Sequence, residues 1–495
     1  VNLAFLDLFH SFAPLLNRAK VMLKKTKIVA TISDLRCDVS FIRSLFENGM
    51  NVVRLNTAHQ SIHDTLKVIQ NVREVSDSIA MILDTKGPEI RTTPSDYKVD
   101  VKTGDTIRLK GNGSASTTPD CIVVSYDQFV NEVAPGQIIL IDDGELEFEV
   151  VEKKDDYLLC KATNDGTVKG KKSVNVPGVK FSLPALSIKD REYIDFAIEH
   201  DIDFIAHSFV RNKEDVIEIQ RILDQHKSRI KIIAKIENQE GVDNLDEILQ
   251  HVYGVMVARG DLAIEIPYEK IPGIQKMIIN KCIDSRKPVI VATQMLHSMI
   301  ENPRPTRAEV SDVANAIYSK ADAIMLSGET AYGNYPVDAV RTMARIATEV
   351  EKSRSDLHKT EMLVMSTRTS AYLAKSAVEA SLELDCKAII ADTSTGRTIR
   401  NVAGYRGRKV VFAQCYDKRV VRELSLSFGV YADHTKEGPN YHFIVQALNS
   451  LLERDMLQKS DKVVILGGNF EWTQSASFIE ISTVENLLNL LHKNA

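Results

Sequence analysis

At 495 residues the chain exceeds a single hydrophobic core, and length alone predicts about three domains. Its 44% hydrophobic and 26% charged content is that of a globular protein, and a net charge of -5 with pI near 6.2 argues against a general nucleic-acid binder, whose domain would normally be basic. No apolar run approaches the roughly 18 residues of a membrane span, and six cysteines without Cys-x-x-Cys or zinc-ligand spacing predict reduced thiols and a cytoplasmic location.

Residues 1–21 are apolar from Leu3 to Leu16, with Asp7 inside that run and Arg18 and Lys20 behind it. A secretory signal has the reverse order, with positive charge first. Met22 leads directly into the first strand-like run, so 1–21 is expected to be an extension outside the fold.

Eight apolar runs of strand length follow, at Lys27–Ile32, Asn51–Asn56, Ala80–Thr85, Asp203–Val210, Lys231–Glu237, Gly254–Arg259, Pro288–Thr293 and Ala323–Ser327. They are rich in Val and Ile with little alternation, as in parallel strands buried on both faces. Helical segments lie between them. Thr306 with Glu309 makes a capping-box signature, and Val310, Val313, Ala314 and Ile317 follow at helical spacing; Ser187 with Asp190 is a weaker version. Eight such units predict a (β/α)8 TIM barrel over 22–93 and 185–352, with its chemistry at the C-terminal ends of the strands. Seven of the eight runs end in polar residues, including Arg54, Asn56, Asp84, Ser208, Arg211, Lys235, Glu237, Asp261, Thr293 and Glu329.

Residues 94–184 interrupt this pattern with short alternating runs at Thr106–Lys110, Ile138–Ile141, Leu146–Val151 and Tyr157–Ala162. They predict a small inserted all-β barrel on the rim, placed to close over substrate. Ser353–Thr369 reads as a polar linker. The remainder of 353–495 has a helix near Ser370–Leu384 and buried runs at Ala388–Thr393, Lys409–Gln414 and Lys462–Leu466, a doubly wound α/β pattern.

If the fifth and sixth runs are adjacent parallel strands, Lys235, Glu237 and Asp261 converge at one rim. A cation beside two carboxylates suits a divalent metal and a phosphorylated anion held together, which is the chemistry of phosphoryl transfer. Each group has a structural alternative. Glu237 can pair with Lys235, Arg54 with Asp84, and Thr293 can cap a helix.

Taken together, these segments resemble the pyruvate kinase family. The resemblance rests on Arg54-Leu55-Asn56, Asp84-Thr85-Lys86-Gly87-Pro88-Glu89-Ile90-Arg91, Lys235–Gly241, Ala258-Arg259-Gly260-Asp261-Leu262, Ala292-Thr293-Gln294-Met295-Leu296, Asn302–Asn315 and Met325–Ala331, across roughly residues 24 to 490. It implies transfer of the phosphoryl group of phosphoenolpyruvate to ADP, giving pyruvate and ATP, with Mg²⁺ and K⁺. By resemblance, Glu237 and Asp261 hold Mg²⁺, and Arg54 and Lys235 neutralise the transferring group. Gly260 and Asp261 offer amides to the substrate carboxylate, and Thr293 lies on the protonation face. Asn56, Asp84 and Thr85 are implied K⁺ ligands, because K⁺-requiring members carry glutamate at the position of Glu89. Arg91, His59 and Lys172 are implied nucleotide contacts.

The chain departs from the family at Ala58, where a serine is usual, and at Ser33-Asp34-Leu35-Arg36, which replaces a Gly-Pro-Ala-Ser loop beside the nucleotide. His207 and Ala263 also differ from the usual residues and read as packing changes. The Thr393-Ser394-Thr395-Gly396-Arg397-Thr398 loop is implied to take a phosphorylated effector. Its partner loop at 467–474 carries Glu471, which weighs against fructose-1,6-bisphosphate and makes a monophosphorylated sugar or no effector an equal expectation. The family is typically homotetrameric.

Overall fold

The computed structural model describes residues 23–58, 60–353, 368–436, 442–468 and 476–493. The extension expected at 1–21, most of the linker expected at Ser353–Thr369 and residues 469–474 lie outside the described residues.

Eight parallel strands close into a barrel: Lys27–Thr31, Val52–Asn56, Ala80–Asp84, Phe204–His207, Lys231–Ile236, Gly254–Ala258, Val289–Ala292 and Ala323–Leu326. Each pairs with its neighbours in sequence, and the first closes on the last through Lys27 opposite Ala323. Buried runs of this kind have apolar residues on both faces. One set, including Val52, Ile82, Phe204, Ala206, Met256 and Ile290, fills the lumen, and the alternate set packs under the helices. The fourth strand stops at His207, short of the expected Val210. There Ser208 Oγ donates to the Thr85 carbonyl at 2.7 Å, and Phe209 turns to φ 56°, outside the β region.

Both capping boxes close. The Thr306 amide donates to Glu309 at 2.7 Å, and the Ser187 amide donates to Asp190 at 3.0 Å. Asp190 is wholly buried, and its other oxygen accepts the Lys86 amide at 2.9 Å. A helix cap on one barrel unit thereby fixes the chain where it leaves the barrel after the third strand.

The insertion is a six-stranded sheet and a separate two-stranded pair around one apolar core that includes Leu109, Phe129, Phe148 and Leu158. Four of its strands were not anticipated: Val99–Val101, Cys121–Val124, Gly166–Val168 and Val174–Asn175. At two to four residues they are too short to display alternation. The C-terminal unit is a five-stranded sheet with an apolar cluster on each face. Its outer strands, Val430–His434 and Ala476–Thr483, were also unanticipated, and the second runs antiparallel. No helix among the described residues is long and apolar enough to cross a membrane. The six cysteines are free thiols.

The C-terminal unit meets the N-terminal end of the barrel through buried ion pairs. Arg406 pairs with Asp322, whose oxygens also accept the Val289 and Phe428 amides at 3.1 and 3.0 Å. Arg422 reaches Asp203 at 2.5 Å and Asp201 at 2.6 Å, and Leu426 joins the cluster filling the lumen. Truncating one partner of a buried pair leaves the other charge stranded, at a cost of about 3–5 kcal/mol. Arg406→Met is therefore expected to lower the melting temperature clearly, whereas Lys418→Met at the exposed Lys418–Asp77 pair shifts it little. Scanning calorimetry of both variants checks this; equal shifts contradict it.

His207 continues the alternation of the fourth strand, sharing the helix-facing side with Ile205. It is buried, and neither ring nitrogen meets a hydrogen-bond partner among the described residues. Burial lowers its pKa from 6.5 to about 4; Asp215 and Asp190 pull it up, and Lys235 and Arg211 push it down. The unfolded chain therefore binds the extra proton between about pH 6.5 and 4, and the contribution of this residue to stability falls as pH drops through that window. His207→Asn is expected to flatten the dependence of melting temperature on pH there and leave it unchanged above pH 7. Parallel slopes for parent and variant contradict the assignment.

Candidate active site

The C-terminal rim of the barrel gathers one compact ion cluster. Lys235, on the fifth strand, lies 3.1 Å from Asp84, 3.0 Å from Glu237 and 2.6 Å from Ser208 Oγ. Arg54, on the second strand, donates from Nε to Asp84 at 2.5 Å and from Nη1 to Thr31 at 3.1 Å. Asp84 and Glu237 are each 1% exposed. Both structural alternatives, Lys235 with Glu237 and Arg54 with Asp84, are present within the same cluster.

The charges do not cancel. Two cations, Arg54 and Lys235, face three carboxylates, Asp84, Glu237 and Asp261. Burial opposes ionisation of Asp84, but Arg54 and Lys235 outweigh it and hold this carboxyl below the ordinary range. Burial likewise opposes the charge on Lys235, yet Asp84 and Glu237 raise its pKa well above the usual lysine value. Glu237 goes the other way: burial raises its carboxyl, Lys235 counters, and the charge of Asp261 adds to the rise. Burial raises Asp261 as well, against Lys235. The deficit of positive charge thus falls on Glu237 and Asp261. Hard oxygen donors facing each other in this state fit a small divalent cation that takes its remaining ligands from substrate and water.

Thr293 follows the seventh strand at φ 68°, an uncommon conformation for a β-branched residue, and Gln294 follows at φ 54°. Arg259 holds this bend by donating to the Thr293 carbonyl at 2.7 Å while paired with Asp312 at 2.7 Å. Thr293 Oγ1 donates to the Ala292 carbonyl at 2.6 Å and accepts the Gly260 amide at 2.8 Å. One of the two amides assigned to a substrate carboxylate is therefore already engaged by the hydroxyl assigned to the protonation face.

The remaining predicted residues are more dispersed. Asn56 accepts the Ala58 amide at 3.2 Å, and Thr85 Oγ1 accepts the Ser208 amide at 3.1 Å. Glu89 pairs with Arg91 at 2.8 Å, and Lys172 with Asp142 at 2.7 Å. Arg91 and Lys172 lie at the base of the insertion, and Glu89, the partner of Arg91, lines the same cavity as Asp261. His59 lies outside the described residues. Leu35, in the altered first-strand loop, is exposed, and Ser33 donates to the Ala331 carbonyl. In the C-terminal unit, Gly396 at φ 76° precedes the helix Arg397–Gly404 and donates to Thr393 Oγ1 at 2.8 Å. Ser394, Thr395 and Arg397 are exposed beside it, and Thr398 is half-buried.

Two participants were not singled out from sequence. Ser208 stood only among the polar strand ends, yet it links Lys235 to Thr85. The Phe209 amide, which donates to Glu237 at 2.7 Å, carries no side-chain signal. A cavity of about 200 Å³ lies between the rim and the insertion, lined in part by Glu89, Asp143, Phe181, Phe209, Arg211 and Asp261.

Comparison with known proteins agrees with this architecture. The family model "Pyruvate kinase, barrel domain" matches residues 23–340, and "Pyruvate kinase, alpha/beta domain" matches 372–482. A pyruvate kinase of Borreliella burgdorferi is 49% identical over 471 residues, covering 94% of this chain and 98% of that protein. One from Geobacillus stearothermophilus is 43% identical over 482 residues, covering 94% and 81%. The crystal structure of a pyruvate kinase from Cryptosporidium parvum superposes with a TM-score of 0.87 at 36% identity, covering 94% of this chain and 97% of that one. A closed parallel barrel with a β insertion after its third strand, a rim short of one positive charge and matches of this length have one explanation: the chain belongs to the pyruvate kinase family.

Proposed function

We propose that this chain transfers the phosphoryl group of phosphoenolpyruvate to ADP, forming ATP and, after protonation of the enolate carbon, pyruvate. The observation that carries the reading is the ion cluster, in which Lys235 and Arg54 stand beside a pair of undercompensated carboxylates. In such a transfer the phosphoryl group separates from both oxygens with charge spread over its equatorial oxygens, so catalysis is positioning plus electrostatic stabilisation.

Lys235 and Arg54 supply that stabilisation. Both are held in place by Asp84, so little reorganisation is needed when the substrate arrives. Glu237 and Asp261 are the proposed Mg²⁺ ligands; when bound, the ion would supply Lewis-acid neutralisation of substrate oxygens. Thr293 Oγ1 and the Gly260 amide are 2.8 Å apart, which favours a shared role, with the amide meeting the substrate carboxylate and the hydroxyl ordering the proton donor. A threonine hydroxyl is a weak acid, so a water relay through it is the better reading of the protonation step.

Asn56, Asp84 and Thr85 are the proposed K⁺ ligands, with Glu89 paired to Arg91 and unable to replace the cation. Arg91, Lys172 and His59 are proposed for the nucleotide. The exposed hydroxyls and arginine of residues 394–397 support a phosphorylated effector at the C-terminal loop. A homotetramer rests on family likeness, and a cytoplasmic setting on that likeness and the free thiols.

Pyruvate release is expected to need phosphoenolpyruvate, ADP and Mg²⁺ together, and to fall when K⁺ is replaced by a large organic cation at constant ionic strength. Turnover without ADP would sink the kinase reading, and turnover indifferent to K⁺ would remove only the Glu89 argument. Lys235→Met keeps apolar bulk and removes the charge; kcat is expected to drop about 10²–10³-fold, the scale of lost transition-state charge stabilisation. A loss below roughly tenfold, about 1.4 kcal/mol, would return Lys235 to a structural role. Circular dichroism of the variant confirms that folded protein is being assayed.

A further inference from the structure

The four residues after the fourth barrel strand, Ser208 to Arg211, touch both chain crossings of the insertion and the ion cluster. On the outbound crossing, Gly87 at φ 72° packs so closely that a Cβ there would lie 2.8 Å from both Phe209 Cδ2 and Ser208 Cβ. On the return crossing, Arg211 Nη1 donates to the carbonyls of Phe181 at 3.2 Å and Leu183 at 3.0 Å. Toward the cluster, Ser208 Oγ accepts from Lys235 at 2.6 Å, and the Phe209 amide donates to Glu237 at 2.7 Å.

Arg211 itself is fixed. Its Nε and Nη2 lie 3.1 and 3.0 Å from the two oxygens of Asp215, and Asn244 donates to its carbonyl at 2.9 Å. A guanidinium forked onto a carboxylate on one side still has donors in the same plane for a second partner, and here that partner is backbone of the insertion. The loop carries its own constraint: Phe209 at φ 56° is a costly conformation for a bulky residue, kept only where its surroundings over-determine it. Loop, insertion and cluster therefore form one mechanical unit.

From this geometry we infer that Arg211 is a positioning residue, which registers the inserted β unit on the barrel and, through Phe209 and Ser208, fixes Glu237 and Lys235. The assignment deepens the phosphoryl-transfer reading and rests on it for its kinetic part. Loss of Arg211 frees the return crossing and relaxes the loop, so the chemical step suffers while the barrel stays folded. Misplacement of catalytic groups by about an ångström can cost up to roughly a hundredfold in rate.

The test compares the parent with Arg211→Met and Arg211→Lys. In Arg211→Met, kcat is expected to fall about tenfold or more with KM for phosphoenolpyruvate changed far less. Amide hydrogen exchange should quicken at 179–183 and 208–210 while the strands Val52–Asn56 and Gly254–Ala258 keep their protection. Arg211→Lys retains charge toward Asp215 but not the fork, and should fall between the two. A kcat within twofold of the parent in Arg211→Met overturns the inference. Exchange that quickens equally through the barrel strands does so too, because the residue is then only structural. Full activity in Arg211→Lys overturns it as well, since the Asp215 pair alone would then suffice. The exchange measurement needs no turnover, so its result stands whether or not the kinase reading survives.

Discussion

A charge taken out of water must meet its opposite, and this molecule obeys that rule differently at the two ends of its barrel. At the N-terminal end, buried Asp203 and Asp322 and the exposed Asp201 meet Arg406, Arg419, Arg422 and Arg73. The pairs of Arg406, Arg419 and Arg422 hold the C-terminal unit against the strand starts, and here four arginines face three aspartates. At the C-terminal end, two cations serve three carboxylates. That end is also where a (β/α)8 barrel places its chemistry, because the loops after the strands are free to diverge.

The imbalance at the rim is maintained by rigid surroundings. Phe209 after the fourth strand and Thr293 and Gln294 after the seventh take positive φ, and hydrogen bonds to neighbouring units hold these bends. Arg259 shows how. It follows the sixth strand, pairs with Asp312 on a helix between the seventh and eighth, and fixes the carbonyl of Thr293. Strain of order 1–3 kcal/mol per residue persists only when the surrounding structure over-determines it. In this rim the over-determination comes from side chains that are themselves ion-paired, so electrostatics and backbone geometry constrain each other.

Much of this was legible in the residues, and the rest was not for identifiable reasons. The eight barrel strands were readable because Val- and Ile-rich runs of strand length recur with helix-like segments between them. Lys235, Glu237 and Asp261 could be placed on one rim because adjacent parallel strands bring their C-terminal ends together. The two-residue strand Val174–Asn175 offered no period to read. The C-terminal contacts were invisible for another reason: helix Lys418–Leu424 carries Lys, Arg and Glu and looks like a solvated surface, yet Arg419, Arg422 and Glu423 are buried against the barrel. Periodicity reports apolar burial only. Which carboxylate an arginine finds across 200 residues is decided by packing, and no local pattern encodes it.

The structural pairings that sequence left open for Arg54, Lys235 and Glu237 are present, and they are compatible with the proposed roles. A buried lysine cannot await its substrate without counter-charges, because desolvation would strip its proton; Asp84 and Glu237 keep Lys235 an ammonium. The same contacts that count as structural salt bridges therefore also preserve the charge that the proposed role in phosphoryl transfer needs. Glu237 carries the complementary burden, since Lys235 alone does not satisfy it beside Asp261. A protein stabilised only for folding would lose one of those carboxylates or gain a third cation. Keeping Asp261 there costs stability in the free chain, and on the proposed reading a cation held by the pair would return it.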